Sequence, residues 1–74
     1  MVTYELARRN ARAHLAHMRT RHGIRRAVTE EDIDRHMLNL ASMGHLDGWL
    51  FNELQADIRR RKAPPLTFVS AETN

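Results

Sequence analysis

The chain has 74 residues, no cysteine and a formal net charge of +3. This length allows one domain at most, and the lack of cysteine excludes disulfide bonds and thiolate metal sites. No apolar run reaches the roughly 18 to 20 residues that span a bilayer, and arginines interrupt the N-terminal segment where a signal peptide needs an apolar core. We therefore expect a cytoplasmic protein, of its own cell or of a host cell, without membrane association.

Arginine dominates the basic residues. Of the twelve lysines and arginines only Lys62 is a lysine, and the sequence pI is about 10.6. Guanidinium groups suit bidentate contacts to phosphate and carboxylate, but a GC-rich coding sequence also favours arginine. Composition alone therefore does not establish an anionic ligand.

The first predicted helix covers residues 3–22. Thr3 is a suitable N-cap, and Gly23 supplies the left-handed residue that ends many helices. Ile24 is expected to fold back onto Met18, as in a Schellman motif, and to join the core. The predicted buried face, at 100° per residue, consists of Tyr4, Ala7, Ala11, Leu15 and Met18.

The second predicted helix covers residues 30–43. Thr29 is the expected N-cap, and the acidic residues 30–32 suit the positive end of the helix dipole. Val28 and Ile33 have the spacing of a hydrophobic staple, and Gly44 is the expected stop. The predicted buried face consists of Ile33, Met37, Leu40 and Ala41.

The third predicted helix covers residues 48–62, with Asp47 as N-cap and a second staple between Leu46 and Phe51. It stops before the two prolines at 64–65. Arg59 to Lys62 occupy its last turn, where the helix dipole alone explains positive charge. The predicted buried face consists of Leu50, Phe51, Leu54 and Ile58.

These segments predict an all-α, three-helix domain over residues 1–63, followed by a flexible C-terminal tail over residues 64–74. The short connections favour antiparallel or steeply crossed helices, and the core of so small a domain is thin. Residues 63–69 of the tail suit either addition to the sheet edge of a partner or folding back onto the helices. The sequence leaves both open.

Several apolar residues do not fit the buried faces. Trp49 and Leu38 lie off the apolar faces of their helices, and Leu6 lies across the first helix from Tyr4. Isolated exposed apolar residues are common, so each is compatible with a minor packing role. Because the core is thin, we favour the alternative that Trp49, Leu38 and Leu6 bind a protein partner or a second copy of the chain.

A basic stripe offers a second interpretation. Its residues lie on the first helix and in the following loop, where they are able to meet nucleic-acid phosphates. The alternative is a solvated face on which Glu5 pairs with Arg8 or Arg9 at helical spacing. The candidate nucleic-acid residues are Arg8, Arg12, Arg19, Arg25 and Arg26.

Other chemistry has little support. A helix-turn-helix is disfavoured because residues 48–51 offer few groups to base edges. His14 and His17 share a face without a carboxylate, so surface histidines are favoured over a metal site. We identify no catalytic constellation, glycine-rich phosphate loop or cofactor motif. The favoured hypothesis is a non-enzymatic, regulatory or inhibitory accessory protein that forms a homodimer and binds a protein partner, with no small-molecule substrate.

Overall fold

A computed structural model describes residues 2–62 of the chain. Over this range the chain forms three α-helices and no strand: α1 at Tyr4–Arg21, α2 at Glu30–Ser42 and α3 at Gly48–Lys62. The predicted all-α, three-helix architecture is confirmed. The predicted tail at 64–74 lies outside the described residues. None of α1, α2 and α3 combines the length and the apolar character needed to cross a membrane.

Threonine side chains begin the first two helices, as the sequence predicts. The hydroxyl of Thr3 accepts a hydrogen bond from the backbone N–H of Leu6 at 3.1 Å. Thr29 accepts from the N–H of Asp32 at 3.2 Å, and the Asp32 carboxylate accepts from the N–H of Thr29 at 2.9 Å. This reciprocal capping box satisfies two backbone donors that the helix itself leaves unpaired.

Glycines end α1 and α2 in the same way. Gly23 and Gly44 have φ angles of +70° and +76°, a region that L side chains rarely adopt. The next residue donates its N–H back into the helix, Ile24 to the Arg19 carbonyl and His45 to the Leu40 carbonyl, each at 2.8 Å. Both ends are therefore Schellman motifs.

The predicted burial of Ile24 is wrong. Its side chain is 48% exposed, whereas Val28 packs against the core. The guanidinium of Arg19 donates to the carbonyls of Arg26 and Ala27 and so fixes the end of the loop. The Schellman turn is closed by backbone hydrogen bonds, and Val28 is the residue of this loop that packs against the core.

The core lies where the three helices meet. Its buried centre is formed by Ala11, Ile33, Met37 and Leu54. α2 contacts both other helices more extensively than they contact each other, so α2 is the middle element of the packing. The half-buried residues around this centre are Tyr4, Ala7, Leu15, Val28, Leu46 and Ile58. Each predicted apolar face thus supplies residues to this core. Leu50 is buried outside this cluster, and the other predicted face residues that do not join it are half-buried: Met18, Leu40, Ala41 and Phe51.

Candidate protein-interaction surfaces

A group of ion pairs joins the three helices around Asp34, and we call it the Asp34 network. The Asp34 side chain is only 8% exposed. It accepts hydrogen bonds from Arg8 of α1 at 2.8 Å and from Arg61 of α3 at 3.0 and 2.7 Å. Burial favours a higher pKa for Asp34, but the hydrogen bonds from Arg61 and Arg8 outweigh burial and lower that pKa. The two guanidinium groups therefore keep a buried carboxylate charged.

The Asp34 network extends to the start of α1 and along α3. The Tyr4 hydroxyl donates to Asp57 at 2.6 Å, and Asp57 also pairs with Arg61 at 3.3 Å. Arg8 donates to Glu30 at 2.6 Å, and its guanidinium carbon lies 5.7 Å from the centroid of the Tyr4 ring. Burial raises the pKa of Tyr4 to about 12, with a further contribution from its bond to Asp57. Tyr4 therefore remains a hydrogen-bond donor at physiological pH.

The other two α1 arginines of the basic stripe also have acceptors within the protein. Arg12 pairs with Glu30 and donates to the Val28 carbonyl at 3.3 Å. Arg19 donates to the Asp32 carboxylate at 2.7 Å and to two carbonyls of the α1–α2 loop. The backbone N–H of Thr29, followed by the Arg19 guanidinium, holds the pKa of Asp32 below its usual range. These bonds fasten α1 to the beginning of α2.

The nucleic-acid residues predicted from the sequence therefore divide into two groups. Arg8, Arg12 and Arg19 bind acceptors within the protein. Arg25 and Arg26 are exposed in the loop and make no ion pair within residues 2–62. The structure does not bring the five side chains together as one outward-facing basic surface.

Two local expectations about charge are wrong. Arg8 does not pair with Glu5 but with Asp34 and Glu30, because its side chain turns toward α2. Arg61 is not explained by the helix dipole alone, since it bonds directly to Asp34 of α2. Sequence reasoning missed Asp34 as a buried residue. A signal existed: Asp34 adjoins Ile33 and precedes Met37 by three positions, so it shares their side of the helix.

A pair of histidines bridges α1 and α2. The ring centroids of His14 and His36 are 5.2 Å apart, and the ring planes meet at 27°. His14 therefore stacks on a residue of α2, a contact that the sequence did not predict. Residues 2–62 contain no group of three or more histidine, aspartate or glutamate side chains arranged to hold a metal ion. Burial lowers the pKa of His36, and the charge of a protonated His14 lowers it further.

The free energy of unfolding should decrease when the pH falls from 7.5 to 5.5. The pKa of His36 is lower in the folded protein than the ordinary value of about 6.5. The unfolded chain consequently binds more protons over this range, which favours unfolding. Asp34 and Asp57 have lowered pKa values and stay ionised here. Thermal unfolding of the wild type at both pH values should show this decrease in the free energy of unfolding. The His36→Phe variant should show little of it, and the control variant His17→Ala should show it in full. An undiminished decrease in His36→Phe would exclude His36 as its cause.

The structure separates the three residues predicted to bind a partner. Leu38 is 40% exposed and Trp49 is 49% exposed, so both side chains are accessible at the surface. Leu6 is half-buried in the protomer, so less of its side chain is accessible. Met43, which the sequence analysis did not single out, is 60% exposed just after α2. Leu38 and Trp49 line different depressions, so they belong to two surfaces rather than one.

The first surface is an apolar groove between α2 and α3, which we call the α2–α3 groove. It has a volume of about 400 Å³. Leu38 lies at one side of it and Phe51 at the other, while Ala41 and Gly48 are small enough to admit a close neighbour. The remaining lining residues are Ser42 and Leu46. The groove is a candidate for contact with another apolar surface.

The second surface is a depression between the start of α1 and α3, which we call the Trp49 depression. Its volume is about 580 Å³, and its lining includes Trp49, Val2 and Tyr4 together with Glu5 and Glu53. Trp49 and Glu53 are four residues apart on α3, so their side chains are neighbours on one face. The depression thus combines an accessible indole with carboxylates.

No protein-family model, curated protein or solved structure matches this chain.

Proposed function

We propose that this protein is a non-enzymatic protein–protein interaction module. It self-associates and binds a protein partner, and as a regulatory or inhibitory accessory protein it blocks or scaffolds that partner. The observation that carries the proposal is the outward position of Leu38 and Trp49 on a protein in which Arg8, Arg12 and Arg19 of α1 bind internal acceptors.

The α2–α3 groove is the surface proposed for self-association. It presents Leu38, Leu46 and Phe51 beside small residues, so another helix is able to approach closely. A second copy offers the same apolar residues, as a symmetric dimer interface requires. Burial of such side chains contributes about 25 cal/mol per Å² of apolar surface removed from water. The opposite side of α3, with Trp49, is then available to a different protein.

Replacing Leu38 by serine should weaken self-association without unfolding the protein. An interface residue at the centre of an apolar contact contributes about 1–2 kcal/mol, or roughly a 5- to 30-fold change in dissociation constant. Sedimentation velocity over a concentration series should therefore show a higher dissociation constant for Leu38→Ser. Asn10→Ala, an exposed polar position on α1, is the control and should behave as wild type. Circular dichroism should be unchanged in both.

Replacing Trp49 by alanine should reduce partner binding by a similar factor and leave helicity nearly intact. The measurement is capture of a partner from host lysate by wild type and by Trp49→Ala. A protein that sediments as a monomer at every concentration, with partner capture unchanged by either substitution, would refute the proposed function.

The alternative function, a nucleic-acid-binding regulator, retains only part of its basis. Arg25 and Arg26 support it, because they lie exposed near Arg21 and His22. Arg8, Arg12 and Arg19 support it less, because their guanidinium groups have protein acceptors. Nucleic-acid affinity falls with salt in proportion to the phosphates neutralised.

We expect a random DNA duplex to bind weakly at low salt, with a logarithmic salt slope no steeper than about −2, as two arginines would give. The double substitution Arg25→Ala, Arg26→Ala should abolish this salt dependence. Fluorescence anisotropy over a salt series measures it. A slope near −5 would require more basic residues than Arg25 and Arg26 to face the duplex and would favour the alternative function.

A further inference from the structure

We propose that the Trp49 depression binds an arginine or lysine side chain of a basic segment on the protein partner. This inference rests on the proposed function and names the chemistry of the partner. Three properties support it: an exposed aromatic ring, a concave surface and uncompensated negative charge on a protein that is basic as a whole.

The aromatic ring is accessible to a cation. Trp49 is 49% exposed, and indole is the side chain that binds cations best through its face. The ring of Tyr4 already has a cation over its face, since the guanidinium carbon of Arg8 lies 5.7 Å from the ring centroid. Within residues 2–62 no cation of the protein occupies the corresponding position over Trp49.

The charge at the depression is negative. Glu5 and Glu53 are exposed and form no ion pair within the described part of the chain. Asp57 and Arg60 also line the depression and pair with each other at 3.0 Å, and Arg61 pairs with Asp57 at 3.3 Å. Two carboxylates thus stay available beside Trp49, on a protein with formal net charge +3.

The Asp34 network contains the same combination inside the protein. There the guanidinium of Arg8 lies over an aromatic ring and donates to the carboxylates of Asp34 and Glu30. The Trp49 depression has an aromatic ring and two carboxylates at the surface. Its lining also includes Arg60, which pairs with Asp57 and does not lie over Trp49. A guanidinium or ammonium group from another protein is able to take the position over Trp49, and charge complementarity then selects basic over acidic segments.

The sole tryptophan of the chain reports directly on binding. Hexa-arginine is the probe and hexaglutamate is the control peptide. Saturable change of Trp49 fluorescence is expected with hexa-arginine and not with hexaglutamate, although the net charge of the protein would favour the acidic peptide. Glu5→Gln and Glu53→Gln should each raise the dissociation constant about two- to fivefold. Glu31→Gln, an exposed carboxylate on α2, is the matched variant and should leave it unchanged.

Three outcomes would overturn the inference: no response to hexa-arginine, a stronger response to hexaglutamate, or equal weakening by Glu31→Gln and Glu53→Gln. Sedimentation of the same samples separates this result from the proposed function. Self-association that depends on Leu38, found together with no peptide response, would overturn the basic partner alone. A peptide response in a protein that neither self-associates nor captures a partner would contradict the proposed function.

Discussion

Replacing Asp34 by alanine is expected to destabilise the folded protein by about 3–5 kcal/mol, because it leaves two guanidinium groups without their buried acceptor. Arg8 is only 11% exposed, so water does not readily replace the lost carboxylate. The hydrophobic core of so small a domain rarely provides a free energy of unfolding above about 3–5 kcal/mol. Asp34→Ala should therefore be largely unfolded at 25 °C, as measured by urea denaturation followed by circular dichroism.

Two further variants test the cause of that effect. Glu31→Ala removes an exposed carboxylate from the same helix and should change the free energy of unfolding by no more than about 0.5 kcal/mol. The triple variant Arg8→Met, Asp34→Leu and Arg61→Met removes the charges together and should recover most of the stability, as apolar replacement of buried ion pairs often does. Wild-type stability in Asp34→Ala would refute the structural role of the Asp34 network.

Replacing Leu54 by alanine is expected to lower the free energy of unfolding by about 2–5 kcal/mol, because apolar burial is lost and a cavity is left behind. Leu54 is fully buried in the cluster that includes Ile33 and Met37, so each of the three helices loses a contact at once. Thermal and urea unfolding should show that the free energy of unfolding falls by an amount comparable to its whole wild-type value.

Leu38→Ala is the matched control for Leu54→Ala, since it makes the same chemical change on an exposed surface. Leu38 is far more exposed than Leu54, so its replacement should reduce the free energy of unfolding of the monomer by less than about 1 kcal/mol. Both variants are measured at a concentration where the protein is monomeric. If the free energy of unfolding falls equally in the two, Leu38 packs inside the folded chain.

Local signals in the sequence were sufficient to predict the fold. The N-cap residues Thr3 and Thr29 and the glycines at 23 and 44 act through contacts within a few positions along the chain, so the sequence places them directly. The apolar faces follow from the helical period, which needs no knowledge of the partner helix. The prediction for Ile24 was wrong because Ile24 lies in a loop, where the helical period does not set the direction of a side chain.

The arrangement of charged residues was harder to predict from sequence. Glu5 has the helical spacing of a partner for Arg8, yet Arg8 bonds to Asp34, which is 26 residues away. Helical spacing reports only neighbours on one helix, whereas the acceptors of Arg8 and Arg61 lie on a different helix. The exposure of Trp49 and Leu38 was predictable, since both lie off the apolar faces. Their division between two surfaces depends on how the helices pack.

Nuclear magnetic resonance of the arginine side chains tests most directly the claim that Arg8, Arg19 and Arg61 bind carboxylates inside the protein. Guanidinium groups fixed by carboxylates should give resolved Nη–H resonances at low temperature for Arg8, Arg19 and Arg61. Rapidly averaged signals are expected for Arg9, Arg25 and Arg26, which are exposed. Averaged signals for all six would mean that the guanidinium groups face solvent. That result would contradict the internal network and return the basic surface to consideration as a binding site.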